Sequence, residues 1–231
     1  MAHFDLSLLL AGQYREWLLA GLRLSLELTA IALILALPLA VAVALMRLSP
    51  VRLLGAMGQA FVEGIRNVPL LVHMLFWYFG APELLPESLR ERLNEGNFEA
   101  LSAIVALTLY TAAYMSEDIR SGVRAIPSVQ LEAGRALGFG YLASMRLIVL
   151  PQALRIIVPP LISQTLNLWK NTSIATVIGV GELMYQAAKV ETVSFRSAEA
   201  FSFATISYLS VSLIITGLGA WYQRRHPLRT A

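Results

Sequence analysis

Residues Ser128 to Pro151 read SVQLEAGRALGFGYLASMRLIVLP. They decide the fold because they form a polar-flanked, glycine-interrupted segment in the middle of a chain otherwise written for lipid. Pro127 suits the start of a helix, where its missing N–H costs nothing. Val129, Leu131, Ala133, Ala136 and Leu137 then give a narrow apolar face, and Glu132 and Arg135 a polar one. Gly138 can end the helix in a left-handed cap. A helix of about ten residues is marginal alone in water, so this pattern predicts a short helix that docks on something outside the membrane. An apolar run resumes directly after Arg146.

On either side the composition is that of an integral membrane protein. Of 231 residues, 57% are hydrophobic and 14% charged, against roughly 45–50% and 25% in soluble domains. With no cysteine, disulfides, a thiol nucleophile and a cysteine-type zinc site are excluded. The net charge of +3 needs no nucleic acid to explain it, because cytoplasmic loops of multispanning proteins carry excess Arg and Lys. Asp5, in place of a basic n-region, argues against a cleaved signal peptide.

A hydrocarbon core about 30 Å thick takes roughly 20 apolar residues per helix. On that scale the chain reads as one all-α membrane domain, residues 1–231, with spans at about 21–46, 53–80, 99–119, 146–169 and 200–223 and a cytoplasmic loop over 120–146. Pro38 is expected to kink the first span. The second carries Glu63 and Arg66 on one face, either neutralising one another or serving function. Pro69 lacks an N–H and clashes with the preceding turn, so a break at Asn67-Val68 is expected. Irregular backbone at that depth is tolerated only inside protein or against a cavity. Trp77 and Tyr78 suit an interfacial belt or a place packed in the core.

Acids every four residues, Glu83 to Glu99, predict a surface helix. In the fourth span Pro151, Pro159 and Pro160 should bend the chain, and Arg155 must face protein or water. Lys170 to Leu183, KNTSIATVIGVGEL, is too short to cross alone and reads as re-entrant or interfacial.

Arg47, Arg52, Arg120, Arg124, Arg135, Arg146, Arg224, Arg225 and Arg229 fall on one side of this topology. Arg15, Arg90, Arg92, Lys189 and Arg196, with more acids, fall on the other. The first side is cytoplasmic by the positive-inside tendency, which puts the N-terminus outside and the C-terminus inside.

Enzyme motifs are scarce. His3, His73 and His226 stand apart, no glycine-rich loop ends in Lys-Ser/Thr, and Asp5 and Asp118 are the only aspartates. No catalytic residue, metal site or nucleotide site is therefore assigned to this chain.

Glu132-Ala133-Gly134, Leu137-Gly138 and Leu150-Pro151 resemble the EAA loop of bacterial ABC-transporter permeases. Further matches narrow the resemblance to the polar amino-acid uptake permeases: Arg66-Asn67-Val68-Pro69-Leu70-Leu71-Val72, Ala113-Tyr114 with Glu117, Leu150-Pro151-Gln152-Ala153-Leu154-Arg155, and Lys170-Asn171-Thr172-Ser173. Phe61 to Pro69, Trp77-Tyr78, Pro82 to Glu87 and Asn167 to Asn171 look most like the glutamate/aspartate branch. Two departures stand out: Gly134 replaces the usual Ala, and Val129 replaces a frequent Gly.

The resemblance implies a five-span type I importer permease of the bacterial inner membrane. Its coupling helix, with Gln130, Glu132, Ala133, Gly134, Leu137 and Gly138, would seat in the ATPase subunit. It further implies a dimer of ATP-binding subunits that use ATP and Mg, no cofactor in this chain, and a periplasmic substrate-binding protein. A second homologous permease is expected, as a heterodimer ahead of a homodimer.

Arg66, Asn67, Val68, Pro69, Asn167, Asn171, Thr172 and Ser173 are the expected substrate contacts. In relatives for basic amino acids the resemblance puts acidic residues at Asn167 and Asn171. Amides there, with Arg66, Arg155 and Lys170 at similar depth, favour a dicarboxylic substrate. Two other classes stay open at this point: an ion-coupled secondary transporter using Glu63 or Glu117, and a non-transporting scaffold that would leave Asn67, Pro69, Asn167 and Asn171 without purpose.

Overall fold

A computed structural model describes residues 12–94 and 96–227 of the chain, and side chains throughout that range except 92–94. The expectations resting on His3, Asp5 and Arg229 lie outside the described residues. Among the described residues, four helical stretches are long and apolar enough to cross a membrane. The first is α1, Gly12–Leu48, which runs uninterrupted through Pro38.

The expected second span is not one helix. It consists of α2 (Arg52–Arg66), a turn at Asn67–Pro69, α3 (Leu70–Leu75) and a π-helical turn over Phe76–Gly80. The break falls where Pro69 predicts it, and His73 mends part of the damage: its Nε2 donates to the Ile65 carbonyl at 3.0 Å, one of those a broken helix leaves exposed. Trp77 and Tyr78 are half-buried. They pack against α5 (Phe98–Arg124), where Ser102 Oγ donates to the Trp77 carbonyl and Tyr78 stacks on Phe98. Before α5 comes the surface helix, α4 (Glu87–Asn94).

Lipid tails offer no hydrophobic drive for helices to associate, so close van der Waals packing of small residues has to serve. The α1–α5 contact follows that rule. Ala32, Ala36 and Ala40 meet Ala103, Ala106 and Ala112, with Leu28, Leu107 and Met115 filling between them, all but fully buried. At the end of this contact Glu117 pairs with both Arg47 and Arg120. Helix α5 continues through Arg120 and Arg124, which the sequence placed in the loop. The salt bridges and the Asn97 cap, accepting the Ala100 N–H at 3.0 Å, hold its two ends.

The loop then forms α6 (Ser128–Ala136) and α7 (Tyr141–Ser144), and a π turn leads into α8 (Leu150–Asn171). Gly138, at φ +85°, ends α6 as expected. The Phe139 N–H reaches the Gly134 carbonyl at 3.0 Å and the Gly138 N–H the Arg135 carbonyl at 2.9 Å, the two bonds of a Schellman motif.

Past α8 lies a 3-10 segment, Thr172–Ile178, and a left-handed turn at Gly179. Helix α9 (Leu183–Ser194) and the long α10 (Ser197–Arg225) follow. Residues 170–183 therefore do not cross alone, and α9 lies against α1 and α10 through Leu18, Leu183, Ala187, Val190 and Ala200. The ends of α1 and α5, α6, α7 and the end of α10 gather at one pole of the molecule. The start of α1, the start of α5 and α9 gather at the other.

Candidate functional site

Between α5 and α8 lies a polar pocket of about 440 Å³. Helix α5 contributes Tyr110, Thr111 and Tyr114; α8 contributes Gln164, Asn167, Lys170 and Asn171. Residues three and four apart share a helix face. Tyr110 and Tyr114 therefore project together from one helix, and Gln164, Asn167 and Asn171 from the other.

The lining is cross-linked. Gln164 Nε2 donates to Asp118 Oδ2 at 3.0 Å, Asn167 Nδ2 to Gln164 Oε1 at 3.4 Å, and the Tyr110 hydroxyl to that of Tyr114 at 3.4 Å. The Arg66 guanidinium carbon lies 4.7 Å from the Tyr114 ring centroid, a cation–π distance, and within electrostatic range of Asp118. Arg66 is not neutralised by Glu63, which instead accepts from Gln59 at 2.7 Å.

Of the expected substrate contacts, Asn167 and Asn171 line the pocket and Arg66 reaches it across Tyr114. Asn67, Val68 and Pro69 form the α2–α3 turn and do not line it. Thr172 is fully buried, its hydroxyl donating to the Trp169 carbonyl at 2.8 Å, and Ser173 turns back on the Lys170 carbonyl at 2.8 Å. Both start the 3-10 segment, where hydroxyls take up carbonyls left by the change of helix type.

Arg155 requires a correction. It stands twelve residues from Asn167 on α8, about 18 Å along the axis. It opens on the far end of α10 instead of this pocket.

Tyr110 and Gln164 were missed. The spacing Gln164, Asn167, Asn171 is a polar stripe through an apolar span and was the available signal. Also missed was Glu182, 0% exposed. Its carboxylate accepts from Ser25 on α1 at 3.2 Å, Tyr208 on α10 at 2.9 Å, the Met184 and Tyr185 N–H groups at 3.0 and 2.9 Å, and the Thr176 hydroxyl. Tyr208 also receives the Trp169 indole N–H on its carbonyl at 3.2 Å. Glu182 thus ties the 3-10 segment that follows α8 to α1, α9 and α10.

At the opposite pole, Gly134 of α6 is buried, Gln130 and Leu131 are half-buried, and the other α6 residues are exposed. A Cβ on Gly134 would stand 2.7 Å from Ser144 Oγ and 2.8 Å from Ile148 Cδ1, so a side chain there would require those two side chains to shift. Gln130 accepts from Gln152 at 3.4 Å. Glu132 and Ala133 are exposed, as are Val129 and Leu137 at 58% and 75%. Of the apolar face expected to dock, Leu131 is half-buried and Val129, Ala133, Ala136 and Leu137 are left exposed by this chain.

A broken span, a polar pocket at the helix interface and a short helix bared at one pole define a membrane subunit built to pass a solute in concert with partners. Residues 28–226 match the family described as the binding-protein-dependent transport system inner membrane component, and the chain belongs to that family. It is 34% identical over 206 residues to the glutamate/aspartate import permease protein GltJ of Escherichia coli (strain K12), covering 87% of this chain and 84% of that one. It is 39% identical over 170 residues to the probable glutamine ABC transporter permease protein GlnM of Bacillus subtilis (strain 168), covering 74% of each. A crystal structure of an amino acid ABC transporter with histidines superposes with a TM-score of 0.84 at 28% identity, over 97% of this chain and 100% of that one. The resemblance read from the sequence, to polar amino-acid uptake permeases, is the one these relatives carry. They are transport subunits, and nothing among them supports an ion-coupled secondary transporter.

Proposed function

We propose that this chain is the membrane-spanning permease subunit of an ATP-driven importer of acidic amino acids. The carrying observation is the charge of the α5–α8 pocket: Asn167 and Asn171 are amides, Lys170 stands between them, and Arg66 lies behind Tyr114. Amides donate as well as accept and do not repel carboxylates, whereas Arg and Lys attract them. Asp118 is not in the lining but accepts from Gln164, which is, and in this reading it is the counter-charge for the substrate ammonium. Identity alone does not choose the substrate, since a relative for glutamine is as similar as one for glutamate and aspartate.

In this reading the chain crosses five times, with α2, its break and α3 as the second crossing, the N-terminus periplasmic and α6 cytoplasmic. A periplasmic binding protein delivers the amino acid. A dimer of ATPase subunits, which holds the ATP and Mg, closes on α6. A second homologous permease completes the translocation path, as a heterodimer. The bared apolar face of α6 and the family membership support this arrangement.

The test is uptake of labelled aspartate, glutamate, glutamine and arginine by vesicles carrying the chain and its co-encoded partners. Aspartate or glutamate should be preferred and uptake should need ATP. Preference for arginine would overturn the substrate, and ATP-independent uptake the mechanism.

A further inference from the structure

At the pole that holds α6, a basic pocket opens into an apolar groove between α8 and α10. The pocket, of about 490 Å³, is lined by Arg155, Pro159, Gln223 and His226 among others. The groove, of about 230 Å³, shares Pro159 and Gln223 with it and continues along Ile162, Leu166 and Ile215. Gly219 keeps the groove narrow at its floor, where a Cβ would come within 3.3 Å of Ile162. The polar end coincides with Arg224 and Arg225, which close the last membrane helix, so it lies at headgroup depth. The groove runs from there toward the middle of the bilayer.

Arg155 is the unexplained group. It is exposed and forms no ion pair among the described residues, whose pairs are all made by other arginines. A guanidinium at the edge of lipid needs an anion, from protein or from outside it. Arg155, Gln223 and His226 present several donors, and among the described residues no carboxylate, at the mouth of a groove that is mostly apolar, with Ser163 and Thr216 as its other polar lining. Basic pockets between membrane helices at such a depth take anionic headgroups.

We propose that this site binds one anionic phospholipid, its phosphate on Arg155 beside Gln223 and His226, and one acyl chain along the α8–α10 groove. The inference needs the chain to lie in a membrane but does not depend on which solute it passes. Its failure leaves the transport reading untouched.

The experiment is native mass spectrometry of the delipidated full complex, titrated with phosphatidylglycerol and with phosphatidylcholine of the same acyl chains. Wild type should bind one phosphatidylglycerol per copy of this chain at least fivefold more tightly than phosphatidylcholine, and free glycerol phosphate should not compete. Arg155→Gln should remove the preference and Arg155→Lys keep most of it. Gln223→Glu, at an exposed position that does not threaten folding, should pair with Arg155 and also remove it. Equal binding of the two lipids overturns the proposal, as does full preference in Gln223→Glu. A cross-link from a cysteine at Ile215 to the second permease subunit also overturns it, by showing that protein fills the groove.

Discussion

Glu182 shows how one side chain can organise a pole of the molecule. Two of the groups it accepts are the first-turn N–H donors of α9, so it is the N-cap of that helix, and a charged acceptor makes such bonds stronger. Truncation would take their carboxylate acceptor from the hydroxyls of Ser25, Thr176 and Tyr208. Glu182→Ala is expected to cost about 2–4 kcal/mol, seen as a lower thermal-inactivation temperature of the detergent-solubilised complex. Glu182→Gln keeps shape and most acceptors and should lose less than half as much; equal losses would show that the hydrogen bonds are not what matters. At the pocket, Asn167→Asp adds a negative charge next to Asn171 and Lys170. Aspartate uptake should fall at least tenfold while the chain still assembles, and unchanged uptake would remove Asn167 from the site.

Among elements, what the sequence disclosed was local. Pro69 broke the second span because the ring acts on its own turn, and Gly138 closed α6 because a left-handed residue is needed within one residue of that position. Features made by distant segments stayed hidden. Glu182 sits in a glycine-punctuated stretch that reads as a turn, and it becomes a hub only because Ser25 arrives from 157 residues away. Tyr110 and Gln164 looked like ordinary span residues until α5 and α8 were laid side by side. Arg155 shares its charge but not its depth with Arg66 and Lys170, because twelve residues of helical rise separate it from Asn167.

Helix α6 carries the element-scale prediction. Glu132 is exposed beside an uncovered apolar face, so Glu132→Lys should abolish ATP-driven uptake while the protein remains in the membrane fraction. Uptake at the wild-type rate would refute docking through this helix. Gly138→Ala must hold an alanine at φ +85°, a strain of about 1–2 kcal/mol. It should reduce uptake partially, through fraying of the α6 end.

Across the whole molecule, the two poles make topology testable. The chain has no cysteine of its own, so a single introduced thiol reports without background. With five crossings, a cysteine at Glu91 in α4 should react with a membrane-impermeant maleimide added to intact spheroplasts. One at Arg135 in α6 should react only after permeabilisation. Labelling of both from outside would refute the five-span arrangement.

The same arrangement leaves much of α10 exposed, as it does part of the apolar side of α6. By contrast, the attachment of α6 is tight. Its C-terminus is pinned by two backbone bonds, and its floor at Gly134 rests directly on Ser144 and Ile148. In mechanical terms the joint has little backlash. A displacement of α6 reaches the root of α8 with few loose side chains to absorb it, so the stroke available at the pocket is set by how far the driving partner travels.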